Sequence, residues 1–224
     1  VTQLNMRVML DAGLSPVPVH VLGDNEQRMD ELFEISDWVA LGGLRRPHRG
    51  PAPLSYVKAK MKWAKGRSVH WLGYTRAESI VAWKPYSCDC SNFTAGSRWG
   101  LYEVYLGMGK WQRMEHESKG SRGSGSVSSA TMPFATNVLA KLESWGFDPD
   151  EVLKCDKWRG SSTGGNVVAK TVQDRRMAAI PAFSFVEYSL DVRKRFGTRF
   201  FLAASPEQAV GVYIALDHIR KMNA

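Results

Sequence analysis

The 224-residue sequence predicts an α/β fold assembled from parallel βα units. Three observations predict it. Short apolar stretches recur along roughly the first ninety residues, each closed by glycine or a polar residue. Segments with helical apolar spacing separate them. Within the short stretches the apolar residues run consecutively, the mark of strands covered on both faces in a parallel sheet. Open sheets and closed barrels both satisfy this pattern.

The elements follow in order. A helix over Asn5–Gly13 ends at a glycine suited to a C-cap. Pro18–Gly23 is a short buried strand, and Asp24 is placed to cap the next helix, DNEQRMDELFEI, whose Met29, Leu32, Phe33 and Ile35 form an apolar face. Trp38–Gly43 is a second strand, and Tyr56–Lys65 a basic helix stopped by Gly66. Ser68–Gly73 is a third strand, leading into the helix TRAESIVAWK with Thr75 as its cap. Tyr86–Cys90 is a fourth. Polar residues or glycine close each strand at the C-terminal end, where α/β enzymes carry their chemistry.

After residue 91 the rhythm breaks. Residues 109–131, GKWQRMEHESKGSRGSGSVSSAT, are poor in apolar residues, so 108–135 is expected to be a flexible loop or lid. The remainder, 136–224, is expected to be mainly helical with one strand, packed on the 1–107 domain. It holds a helix over Asn137–Trp145, a short one starting at Asp148, and a long helical stretch to about Arg195. A strand over Thr198–Ala203 and an amphipathic helix over Glu207–Met222 follow. STGGN at 162–166 is a turn and not a phosphate loop, because no Gly-Lys-Ser/Thr follows it.

Composition narrows the function. A net charge of +8 and a pI near 9.5 suit a polyanionic partner, and some of the eight tryptophans can stack on bases. Cys88, Cys90 and Cys155 make an odd number and no disulfide framework. They also lack the fourth ligand of a structural zinc site, so no metal is expected. No apolar run is long enough to cross a membrane, and the first residues do not read as a signal peptide. A cytoplasmic location, in a bacterium or a phage-infected host, is expected.

Four segments in register carry a family resemblance. LGGL at 41–44, HWLGYTRAESI at 70–80 and YSCDCSNFTAGSRWG at 86–100 follow buried strands, and the opening NMRVMLDAGL leads into PVH. Together they resemble the tRNA-guanine transglycosylase superfamily over residues 5 to about 107. Pro85-Tyr86-Ser87-Cys88-Asp89-Cys90-Ser91 is most similar to the phage and bacterial branch that inserts 7-deazaguanines into DNA. The resemblance implies strands five to eight of a TIM-type (β/α)8 barrel, followed by a mainly helical C-terminal extension. Strands one to four are not represented, nor is the aspartate they carry as general acid/base. The zinc motif of the tRNA enzymes is missing as well.

By that resemblance Asp89 is the nucleophile. A carboxylate suits base exchange because it can bond to C1′ as the purine departs and then leave again. Without the resemblance, an aspartate at a strand end is more often a turn former. Gly42, Gly43, Leu44, His70 and Gly73 are the implied base-binding residues. The two glycines would let a flat purine approach the backbone, though a tight turn explains them equally. His70 and His20 lie on apolar strands and are more often core histidines, while Ser87 and Ser91 are placed to orient the carboxylate. Arg45, Arg46 and Arg49 follow the glycine pair, where a basic loop can hold phosphates flanking an extruded nucleotide. Lys58, Lys60, Lys62 and Lys65 read as a solvated helix face.

The resulting expectation is a pentosyltransferase exchanging guanine for a 7-deazaguanine base in nucleic acid, DNA before tRNA, without a cofactor. Activity would require an N-terminal half or a second copy as partner. The alternative is a non-catalytic nucleic-acid-binding or scaffold protein of the same fold. An unrelated α/β-hydrolase is poorly supported.

Overall fold

The computed structural model describes residues 2–46, 50–51, 54–90, 101–115, 135–148, 179–204 and 206–222. Helices α1 (Thr2–Asp11), α2 (Glu26–Ile35), α3 (Leu54–Trp63) and α4 (Ala77–Trp83) alternate with strands β1 (Val19–His20), β2 (Trp38–Leu41), β5 (Ser68–Trp71) and β6 (Ser87–Cys90). A two-residue pair, β3 (Arg45–Arg46) and β4 (Gly50–Pro51), sits between β2 and α3. Then come the hairpin β7 (Leu101–Gly107) and β8 (Lys110–Glu115), α5 (Ala135–Ser144), α6 (Ile180–Phe196), β9 (Arg199–Leu202) and α7 (Pro206–Met222).

Two compact units emerge. Residues 1–90 and 192–201 make the first, and 91–191 and 202–224 the second. In the first unit the sheet order is β1-β2-β5-β6-β9, with parallel pairing from β1 through β6. Successive strands are neighbours, so the winding never reverses and each crossover helix falls on the same side. Helix α2 packs against α3 and α3 against α4, as one layer requires. Met29, Leu32, Val57, Ala64 and Ile80 bury the inner faces of these helices, and Val39, Leu41, Val69, Trp71 and Cys88 bury the strands. The indole N–H of Trp71 points at the Met61 sulfur of α3, 3.4 Å away.

The α/β expectation therefore holds, with parallel βα units, but the described residues do not close a barrel. Five strands form the sheet where four were expected. The fifth is β9, placed beside β6 by Arg199 N–H donating to the Tyr86 carbonyl (3.0 Å) and Thr198 Oγ1 donating to that of Pro85 (2.8 Å). Two caps also differ. Asn25 caps α2, its Oδ1 accepting from Arg28 N–H at 2.9 Å, while the Asp24 carboxylate turns back to accept from Val21 N–H. Arg76, without a capping side-chain bond, precedes α4 in place of Thr75.

In the second unit, β7 and β8 pair antiparallel from Leu101↔Glu115 to Gly107↔Lys110. The start of the expected 108–135 loop is thus strand, because Tyr102, Val104, Tyr105 and Trp111 are strand-favouring residues on either side of a Gly-Met-Gly turn. Residues 116–134 and the segments around Asp150 and 162–166 lie outside the described residues. Tyr105, Trp111, Phe185 and Tyr188 stack edge-on with centroids about 5 Å apart and form its core with Val104, Leu142 and Ile180. Inside it, Glu187 accepts from both Lys141 and the Trp145 indole.

Candidate functional site

A strand presents alternate side chains to opposite faces. In β6, Cys88 and Cys90 therefore face one way and Ser87 and Asp89 the other. The register His70↔Ser87 puts His70 in the same row as Ser87, one strand over. The cysteine side is the one that packs on helices. The opposite side carries His70, Ser87 and Asp89, with Trp38 and Phe201 as neighbours.

These polar residues are bonded to one another. Asp89 Oδ1 accepts from Gly73 N–H at 2.8 Å and lies 3.1 Å from His70 Nε2. His70 Nδ1 in turn lies 2.8 Å from Ser87 Oγ. Gly73 can offer its amide because the chain turns there with φ +63°, a conformation glycine adopts without strain. The imidazole is held from the sides by Trp38, at 5.9 Å and 70°, and by Phe201, at 6.0 Å and 58°. Ser87 is fully buried, whereas the Asp89 side chain keeps 21% of its surface exposed. Among the described residues, Asp89 Oδ2 has no hydrogen-bond partner.

The electrostatics favour an ionised carboxylate. Burial alone would push Asp89 upward, but the hydrogen bonds from His70 and Gly73 outweigh it and hold the carboxyl below its ordinary value. Such a group is a nucleophile or cation stabiliser at neutral pH and a poor proton donor. The thiols flanking it are a different matter. Cys88 and Cys90 are buried and form no disulfide among the described residues, and burial, reinforced by Asp89 and Cys90, pushes the Cys88 thiol far up. A neutral buried thiol neither attacks nor ligates. No group of three or more ligating side chains is arranged for a metal among the described residues.

Ser87, His70 and Asp89 are the residue types of a hydrolase triad, but the geometry runs the wrong way. The hydroxyl is inaccessible, and the carboxylate is the member left facing solvent.

Asp89, His70 and Gly73 thus converge, as the sequence pairs them. Gly42 and Gly43 lie at the C-terminal end of β2. By register Gly42 aligns with Leu72 and Asp89 across β5 and β6, placing it about 10 Å from Asp89 at the usual strand spacing. Both glycines have a packing reason. A Cβ on Gly42 would come within 3.0 Å of Val19 Cγ1, and Gly43, at φ +75°, would meet Leu22 Cβ at 3.1 Å. Leu44 is fully buried. Arg45 and Arg46 pair antiparallel with Pro51 and Gly50; residues 47–49, including Arg49, and the side chains of Arg45 and Arg46 lie outside what is described.

Lys60 departs from its expected place on a wet face. It is 3% exposed, because 57, 60 and 64 share the inward helical spacing with Val57 and Ala64. Its ammonium donates to the Asp24 carbonyl at 2.5 Å and lies 3.8 Å above the Trp63 ring. Nearby, His20 is a buried core histidine whose Nε2–H donates to the Asn25 carbonyl at 3.0 Å, while its Nδ1 has no partner. Trp38 and Phe201 were not marked as site residues by the sequence. Trp38 could have been found from the strand register; Phe201 has no local signal, since it comes from β9.

No helix among the described residues is long and apolar enough to cross a membrane. Comparison of the chain with family models, curated proteins and solved structures found no match.

Proposed function

We propose that this chain supplies the nucleophile of a cytoplasmic base-exchange transglycosylase, which replaces guanine by a 7-deazaguanine in nucleic acid, DNA before tRNA. One observation carries the reading. An ionised, partly exposed carboxylate stands at the C-terminal end of a parallel strand, with one oxygen doubly held and the other without a partner among the described residues. In the first step Asp89 Oδ2 bonds to C1′ as the C1′–N9 bond breaks, and guanine departs with the bonding pair and takes up a proton. In the second step N9 of the deazaguanine, losing its proton, displaces the carboxylate. Gly42, Gly43, Leu44 and Gly73 would frame the base, and Arg45, Arg46 and Arg49 the phosphates. By the resemblance, the proton donor belongs to an N-terminal half of the barrel or to a second copy.

The test is trapping. The protein is incubated with guanine-containing DNA or tRNA and a 7-deazaguanine base, alone and with a candidate N-terminal half, then denatured. An adduct that disappears in Asp89→Asn supports the reading and identifies the polymer. No adduct in any combination replaces it with the second reading, a non-catalytic nucleic-acid-binding or scaffold protein. The sheet edges, β1 and β9, have no further strand paired to them among the described residues and favour that reading, because an edge asks for a partner and not for a substrate.

A further inference from the structure

We infer that Ser87 is a positioning residue, whose buried hydroxyl holds His70 in the Nε2–H tautomer so that the ring donates to Asp89 Oδ1 and leaves Oδ2 to react. The argument is one of donors and acceptors. A carboxylate only accepts, so the nitrogen 3.1 Å from Asp89 Oδ1 must carry the hydrogen. In a neutral imidazole the other nitrogen is then bare and needs a donor. Ser87 Oγ, 2.8 Å from Nδ1 and shielded from water, supplies it. Trp38 from β2 and Phe201 from β9 lie against the ring and fix its plane without competing for a proton. Asp89 is the one charged group bonded to the ring among the described residues.

This arrangement also denies His70 an acid/base role, since both nitrogens are engaged within the protein. Its effect is geometric. Two donors saturate Oδ1 and orient the carboxyl plane, which decides which oxygen faces the sugar. With the opposite tautomer a lone pair would face Oδ1 and turn the carboxylate away, the way a wrong tautomer disables other histidine–carboxylate pairs.

The kinetic part of this inference rests on the transglycosylase reading; the tautomer does not. Protein labelled with 15N-histidine is examined by two-bond proton–nitrogen correlation near neutral pH, with the His70 signal identified by its loss in His70→Gln. The expected pattern is Nε2–H in the wild type and in Ser87→Thr, which keeps a hydroxyl, and a mixture of the two neutral tautomers in Ser87→Ala. Where adduct formation is measurable, Ser87→Ala slows it about tenfold, the size of one weakened charge-assisted hydrogen bond. Its acid limb moves to higher pH, and Ser87→Thr restores both. An Nδ1–H pattern in the wild type overturns the inference, as does Ser87→Ala with an unchanged pattern and acid limb. Should Ser87→Ala fail to fold, the wild-type and Ser87→Thr patterns still decide. A wild type that forms no adduct sinks the transglycosylase reading and leaves the tautomer result standing.

Discussion

Two histidines of the same sheet, His20 on β1 and His70 on β5, are both buried at the C-terminal ends of parallel strands, and their surroundings differ in sign. His70 has both nitrogens engaged and faces a carboxylate. His20 has one nitrogen engaged and the other without a partner, and it faces the buried ammonium of Lys60. Burial, joined by Lys60 and opposed by the Asn25 bond, holds His20 below its ordinary 6.5. One imidazole therefore organises an anion that can react, while the other is a neutral plug in the core. What separates a site histidine from a core histidine here is the sheet face, His20 lying with Leu41 and Trp71 toward the helices and His70 opposite, and the charge that each face places next to it.

The sharpest way to break this comparison is at the carboxylate. Asp89→Asn is expected to reduce adduct formation about 1000-fold or more, because the nucleophile is lost while a similar shape remains. Next in size, His20→Gln is expected to cost about 1–3 kcal/mol of stability in denaturant titration through its lost or misplaced bond to Asn25. Adduct formation per folded molecule should stay the same. A His20 variant that folds normally yet forms no adduct would move His20 into the site and dissolve the distinction. Gly42→Ala probes the ground between the histidines. Its methyl would press on Val19 and Val21, so a loss of about 1–3 kcal/mol is expected. Wild-type stability would show that the strand end has room a base can use.

The smallest effect lies in pH. A histidine whose folded pKa is depressed is bound by a proton first in the unfolded chain, so its contribution to stability is complete above 6.5 and falls as pH drops toward the folded value. Asp89 is also depressed, but from 3.8, so its contribution is lost only at lower pH. The two windows separate. Stability should begin to decline below about pH 6.5 in the wild type and do so somewhat less steeply in Lys60→Met, which removes a cause of the depression smaller than burial. An unchanged slope in Lys60→Met would show that burial alone sets His20.

The local grammar of the first ninety residues was legible because each strand is a continuous apolar run and each helix carries a spaced face. The cap of α2 shifted by one since Asp24 and Asn25 are both good caps, and only the bond from Val21 to Asp24 decides between them. Lys60 was misread because a lysine counts as polar in any pattern, although its positions 57 and 64 neighbours are apolar. The β7–β8 hairpin was hidden by a composition that turns charged and glycine-rich just after it. In the site, Asp89 and His70 were visible as residues, but their bond and the part of Ser87 depend on strand register. The pairing of β9 with β6 depends on a contact between distant segments, for which a local pattern carries no mark.

That last pairing has a consequence for synthesis. The strand bearing Asp89 gains its second neighbour only when Thr198, 113 positions after Pro85, has left the ribosome. Until then β6 is an edge, and contacts closed over such long loops form slowly. During that interval the nascent sheet has an open side next to Asp89, where another nascent copy can pair. Yield of the folded protein should therefore be sensitive to the pace of translation between β6 and β9.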